Sequence, residues 1–181
     1  VNTPQNPTGT ILRASDLQAI NDLLRGTDVI LMSDEVYEHL IFDGEQHASV
    51  LRYPELYARS LAIYSFGKTY HNTGWKTGYC VAPPELTREF RKVHQFNVFS
   101  ANHPMQAAFA DFMADPAEYL GLPDFYQQKR DFFLRAMSGT RFRPCRARGL
   151  ISNCSITRPS ATNRTWIFAN DSPPNSVWRR F

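Results

Sequence analysis

Leu61-Ala62-Ile63-Tyr64-Ser65-Phe66-Gly67-Lys68 decides the fold. Four residues suited to a buried strand run straight into a polar exit that contains a glycine. The same grammar appears upstream, where Val29-Ile30-Leu31-Met32 gives way to Ser33-Asp34-Glu35. That upstream run is predicted to be a strand buried on both faces. Gly78-Tyr79-Cys80-Val81-Ala82 reads as a third strand. Around them the spacing predicts helices. Ser15 caps one that carries Leu17, Ile20, Leu23 and Leu24 and ends at Gly26, and a short one covers Pro54 to Arg59. After Pro83-Pro84 the character changes. Helical periodicity with proline starts runs over Glu85 to about Phe99, Pro104 to Met113 and Pro123 to Met137. Strands alternating with helices, then a helical stretch, indicate an α/β layered domain. There is no internal repeat.

The chain has 181 residues, 43% hydrophobic and 20% charged, which suits one domain with a real core and excludes a disordered polymer. No apolar run approaches the roughly 20 residues of a membrane helix. Val1-Asn2-Thr3-Pro4-Gln5 lacks the basic and apolar regions of a signal peptide. Cys80, Cys145 and Cys154 are odd in number and widely spaced, so neither a disulfide framework nor a zinc site is indicated. A soluble, cytoplasmic chain with no membrane partner is expected.

The charge is unevenly divided. Residues 1–140 carry 12 Lys/Arg against 16 Asp/Glu, a net of −4, while residues 141–181 carry eight Arg against one acid, a net of +7. From Arg141 onward no period of 2 or 3.6 is sustained. Residues 1–140 are therefore expected to form one α/β unit and residues 141–181 an irregular basic tail. A basic tail could bind nucleic acid. Without aromatic–basic interleaving or a helix-turn-helix pattern, that reading ranks last, and no nucleic-acid partner is expected.

In open α/β sheets, ligands sit beyond the carboxyl ends of the strands. Asp34 and Lys68 stand at such ends, and Asn6 stands in the turn-forming run Asn2-Thr3-Pro4-Gln5-Asn6-Pro7-Thr8-Gly9. A lysine amine does covalent chemistry only when deprotonated, which needs desolvation or a second cation nearby, and Lys76 is eight residues on. Gly67 leaves room for a planar group beside Lys68. Each signal has a plainer alternative. Lys68 could be a solvated surface residue, Asp34 the cap of a helix over Glu35 to Leu40, Asn6-Pro7-Thr8-Gly9 only a turn, and Tyr37 a packed aromatic.

In combination, the motifs are specific. Asn6-Pro7-Thr8-Gly9, Ser33-Asp34-Glu35-Val36-Tyr37, Ser65-Phe66-Gly67-Lys68-Thr69 and Thr73-Gly74-Trp75-Lys76-Thr77-Gly78-Tyr79 follow in order. With them the chain resembles the class I and II aminotransferases, pyridoxal-phosphate enzymes of fold type I, and especially the methionine and kynurenine or glutamine transaminase subgroup. The likeness runs from residue 1 to about 143 and includes Pro123-Asp124-Phe125-Tyr126. It implies part of a three-layer large domain with a mostly parallel sheet followed by long helices, and pyridoxal 5'-phosphate as cofactor. It implies exchange of an amino group between an L-amino acid (methionine, aromatic or glutamine-like) and a 2-oxo acid through a lysine imine, in a homodimer. Lys68 would form the imine and shuttle the proton. Asp34 would face the pyridine nitrogen, and Tyr37 and Asn6 the phenolic oxygen. Ser65 and Lys76 would hold the phosphate. Many relatives carry arginine where Lys76 stands; lysine gives a point charge in place of a bidentate fork. The likeness also suggests a cis Asn6–Pro7 bond.

Members of that family are longer at both ends. The aromatic residue that stacks on the cofactor, the upstream phosphate turn and the carboxylate-binding arginine of the small domain have no counterpart here. A catalytically inactive fragment or pseudoenzyme is thus the alternative to an active enzyme. A lyase acting on cysteine-like substrates is a weaker option within the same fold. The tail is expected to be an out-of-frame continuation without a native fold. Codons compatible with the residues from Arg146 onward, read two bases later, permit a string with the alternation and acidity of a normal small-domain segment.

Overall fold

The computed structural model describes residues 1–140, 142–150, 153–157 and 166–169. Helix α1 (Ala14–Leu24) forms where Leu17, Ile20 and Leu24 share one stripe, and Leu17 is fully buried. Its N-cap is Arg13, whose backbone N–H donates to Asp16 Oδ2 at 2.8 Å. Ser15, expected as the cap, therefore lies inside the helix.

Strand β1 (Leu31–Asp34) runs parallel to β2 (Ser60–Ser65), with Asp34 opposite Ile63. Strand β3 (Gly78–Val81) is antiparallel to β2, with Gly78 opposite Ser65. The first residues lie along the other side of β1. Asp34 N–H donates to the Val1 carbonyl and Thr3 N–H to the Asp34 carbonyl, each at 3.0 Å, around a parallel Asn2–Asp34 bridge.

The pleat sorts this sheet into two faces. Leu31 of β1 and Ala62 and Tyr64 of β2 pack with Leu17, Val50 and Leu56 in the core. On the other face Met32 is 56% exposed, and Val29 and Ile30 precede the strand, themselves 51% and 54% exposed. The expectation of burial on both faces is corrected accordingly: α1 and the 50–57 segment cover one face only. An apolar run reports what a strand is suited to bury, not what arrives to bury it.

Short helices α2 (Pro54–Tyr57) and α3 (Phe66–Thr69) flank β2. The longer ones follow as α4 (Pro84–Asn97), α5 (His103–Phe112) and α7 (Leu122–Ala136), each with proline in its first two positions, with the single turn α6 (Ala117–Leu120) before α7. Phe109 of α5 stacks on Phe66 of α3 at 4.6 Å between ring centres. Helix α4 buries no residue, and Phe90, Val93 and Phe96 on it are exposed.

Beyond Arg141, where the composition predicts no regular order, the described residues form β4 (Phe142–Pro144), β5 (Asn153–Thr157) and β6 (Trp166–Ala169) in an antiparallel sheet. Residues between β4 and β5 pack on the main body: Arg148 N–H donates to the Gly9 carbonyl and Phe42 N–H to the Arg148 carbonyl, both at 2.8 Å. The rest of the tail, on which the reading-frame expectation also bears, lies outside the described residues.

Among the described residues, exposed Val29, Ile30 and Met32 beside the sheet, and Phe90, Val93, Phe96 and Phe99 along α4 and its exit, leave apolar surface without cover. The chain is expected to self-associate in size-exclusion chromatography and to bind a hydrophobic dye strongly. Elution as a single sharp monomer peak with no dye signal would refute this.

Candidate active site

Strands β1 and β2 are parallel and end side by side, so the groups that follow them converge. Asp34 closes β1 and Ser65 closes β2. After Asp34 the chain bends through two hydrogen-bonded turns, Glu38 N–H to the Glu35 carbonyl at 2.9 Å and Leu40 N–H to the Tyr37 carbonyl at 2.8 Å. No helix follows, although Asp34 Oδ1 does accept from Val36 N–H at 3.3 Å, as a capping carboxylate would. These turns place Tyr37 on the inside, 5% exposed and packed with Leu40, Leu122 and Leu150.

Lys68 reaches the same spot from β2. It lies in the single turn α3, and its Nζ sits 5.5 Å from the centre of the Tyr37 ring, within reach of a cation–π contact. Asn6 arrives from the N-terminal turn and its Nδ2 donates to the Tyr37 hydroxyl at 3.5 Å. The Asn6–Pro7 bond is cis, as the family likeness suggests, and Thr3–Pro4 is cis as well. A planar aromatic phenol, an amide donor and a primary amine thus meet from three separate motifs. An amide donor, a phenol and an amine in one place fit the aldehyde-bearing cofactor that the family resemblance implies.

Gly67 has a different use from the one its size suggests. A Cβ there would meet Thr73 Cα at 2.8 Å, and Thr73 Oγ1 donates to the Gly67 carbonyl at 3.2 Å. The glycine lets the 73–75 turn close against α3 and so fixes the platform of Lys68. Lys76 follows that turn in the left-handed region (φ 53°). Its side chain is exposed and makes no hydrogen bond or ion pair with a described residue, so no contact joins it to Lys68. Its backbone is two residues from Gly78, the partner of Ser65.

Two clusters escaped the sequence reading. Glu35, next to Asp34 but on the core side of the pleat, is fully buried. Ser33 Oγ and Val50 N–H donate to its Oε1 at 2.9 and 3.1 Å; the Tyr64 hydroxyl at 2.9 Å and His47 Nε2 at 2.8 Å serve Oε2. Burial alone would raise the Glu35 carboxyl, but the His47 hydrogen bond and the others outweigh it and hold it below the ordinary range. The period-2 alternation Leu31, Ser33, Glu35 was the available signal for a core-facing acid. The second cluster centres on Arg130 of α7, 1% exposed and forked onto both Asp43 oxygens at 2.8 and 2.7 Å. It also donates to the Ala147 carbonyl at 2.9 Å, tying α7, the 41–44 turn and the 146–150 segment together.

Among the described residues no group of three or more His, Cys, Asp or Glu could hold a metal ion, and no helix is long and apolar enough to cross a membrane.

Residues 1–163 match the family model for aminotransferase class I and II. The chain is 50% identical over 148 residues to the methionine aminotransferase of Escherichia coli K12, covering 80% of this chain and 38% of that protein. It is 33% identical over 152 residues to human kynurenine–oxoglutarate transaminase 1, covering 80% and 36%. The crystal structure of Escherichia coli YbdL, identified with a methionine aminotransferase function, superposes with a TM-score of 0.82 at 47% identity over 85% of this chain and 41% of that one. N-succinyldiaminopimelate aminotransferase from Mycobacterium tuberculosis gives a TM-score of 0.83 at 29% identity, over 90% and 43%. The chain thus spans about two fifths of the length of the relatives it matches.

Proposed function

The chain belongs to the class I and II aminotransferases, and on that premise we propose that it holds pyridoxal 5'-phosphate on Lys68 and exchanges an amino group between an L-amino acid and a 2-oxo acid. Its α/β architecture is that of the fold type I aminotransferases. The observation that carries the proposal is the meeting of Asn6, Tyr37 and Lys68: Nδ2 3.5 Å from the Tyr37 hydroxyl, Nζ 5.5 Å from the Tyr37 ring.

In this reading the chain's own residues divide the work. The Tyr37 hydroxyl and Asn6 Nδ2 orient the cofactor through its phenolic oxygen. Asp34 holds the proton on the pyridine nitrogen. Ser65 and Lys76 would take the phosphate. The Lys68 amine takes up the proton from the substrate α-carbon and returns it. The cofactor, when bound, supplies the electron sink that makes this α-proton removable. The methionine and kynurenine transaminases among its relatives support methionine or an aromatic amino acid as the donor; a glutamine-like donor and a cytoplasmic homodimer are carried over from the resemblance of the sequence motifs to the family.

The test is to incubate the chain with pyridoxal phosphate, then methionine and a 2-oxo acid, and to follow formation of the new amino acid. Turnover is the expected result. An adduct without turnover would favour the second reading, an inactive fragment or pseudoenzyme that keeps the cofactor site. A chain that gives neither contradicts both. We read residues 141–181 as an out-of-frame continuation, because the net charge turns from −4 to +7 at that point. Sequencing the locus checks it, and the idea fails if no shifted frame restores the family pattern.

A further inference from the structure

We propose that Glu35 is a positioning residue for the cofactor site: buried behind the strand exit, it locks the backbone that aims Asp34 and Tyr37. The inference rests on the reading of Asn6, Asp34, Tyr37 and Lys68 given above. A carboxylate with 0% exposure is expensive unless every lone pair is satisfied. Here four donors satisfy it, and they come from four places: Ser33 in β1, Tyr64 in β2, His47 in the following loop and the backbone of Val50. Stability alone does not call for such a group, since an apolar side chain of similar volume commonly serves a core as well or better. What a saturated carboxylate adds is geometry. Each of its bonds has a direction, and together they leave the backbone at residue 35 one position.

That position matters because of its neighbours. Glu35 N–H donates to the Ile63 carbonyl at 2.9 Å, extending the β1–β2 ladder one residue past Asp34. Successive side chains point to opposite faces, so a Glu35 fixed on the core side sends Asp34 to the other. The Glu35 carbonyl then accepts from Glu38 N–H at 2.9 Å and opens the turns that carry Tyr37. Tyr64, which holds Glu35 Oε2, stacks in turn on Tyr79 of β3 at 4.9 Å between ring centres, so the anchor is braced by the next strand. His47 is held less completely. Its Nε2 meets Glu35, while its Nδ1 is buried with no partner among the described residues.

The test compares wild type, Glu35→Gln and Tyr64→Phe in the full chain with pyridoxal phosphate alone. Three readouts are taken: the titrated affinity, the pH midpoint of the visible absorption of the bound cofactor, and amide hydrogen exchange of residues 34–37 without cofactor. Glu35→Gln is expected to weaken affinity about tenfold, to move the pH midpoint and to speed exchange at residues 34–37. Tyr64→Phe, which removes one of the four donors and keeps the ring, is expected to shift all three in the same direction by less. A folded Glu35→Gln variant with wild-type affinity, midpoint and exchange overturns the proposal. If Glu35→Gln does not fold, Tyr64→Phe decides, and wild-type values there overturn it equally. Wild-type chain that forms no adduct on Lys68 sinks the cofactor reading itself, a different failure and visible before any variant is made.

Discussion

Lys68→Ala is expected to abolish borohydride-stable attachment of pyridoxal phosphate, a complete loss and not a graded one. A primary amine is the only group in the site that can form a reducible bond to an aldehyde, and Lys68 Nζ is the one placed over Tyr37. The substitution touches no buried contact, since Lys68 makes its described interaction with that ring alone and alanine suits the single turn Phe66–Thr69. The secondary structure of the variant should therefore match wild type by circular dichroism. Lys76→Ala is the contrast. It removes an exposed cation that holds no partner among the described residues, so it should weaken cofactor affinity while leaving attachment at saturating cofactor intact. If Lys68→Ala still accumulated label as fast as wild type, the reactive amine would lie elsewhere.

Asp43→Asn is expected to destabilise the chain by about 2 kcal/mol, measured by chemical denaturation, because it neutralises one of the two carboxylates on the buried Arg130 guanidinium and leaves Asp131, at 2.8 Å, as its remaining counter-charge. Arg130 is 1% exposed, and Asp43 supplies both of its forked contacts at 2.7 and 2.8 Å. Asparagine tolerates the left-handed backbone at residue 43 (φ 60°), so the loss is not one of conformation. Arg146, exposed and on the same carboxylate, contributes far less, because solvent screens the pair, and Arg146→Ala should leave the denaturation midpoint close to that of wild type. The pH dependence has a definite sign. The hydrogen bonds from Arg130 and Arg146 hold the Asp43 carboxyl far below the ordinary carboxylate range. Its contribution is therefore present above the unfolded carboxylate value and lost as pH falls toward the folded one. Wild type should lose stability on acidification below about pH 4, and Asp43→Asn should lose less over the same interval. Parallel acid profiles would contradict this.

What was legible in the sequence was local. Ser33-Asp34-Glu35 and Ser65-Phe66-Gly67-Lys68 announce strand exits because apolar and polar residues change places within two positions, and the prolines at 84, 104 and 123 open helices within a residue of where the spacing puts them. The convergence of Asn6, Tyr37 and Lys68 was legible only through family likeness; periodicity places each at a turn and none beside another. What was not legible depends on partners far along the chain. Arg130 and Asp43 are 87 residues apart, and no spacing rule pairs them. The exposure of Val29, Ile30 and Met32 depends on which elements come to cover them, a fact about the whole fold and not about the run. Gly67 was read as room for a ligand, whereas the neighbour that requires a glycine there is the backbone of Thr73.

The most direct measurement is to treat the wild-type chain with pyridoxal phosphate and borohydride, digest it, and locate the modified residue by mass spectrometry. A single phosphopyridoxyl group on the peptide bearing Lys68, blocked when excess methionine is added first, is the predicted result. Label spread over Lys76, Lys92 and Lys129 with none favoured would mean that these turns form no cofactor site at all.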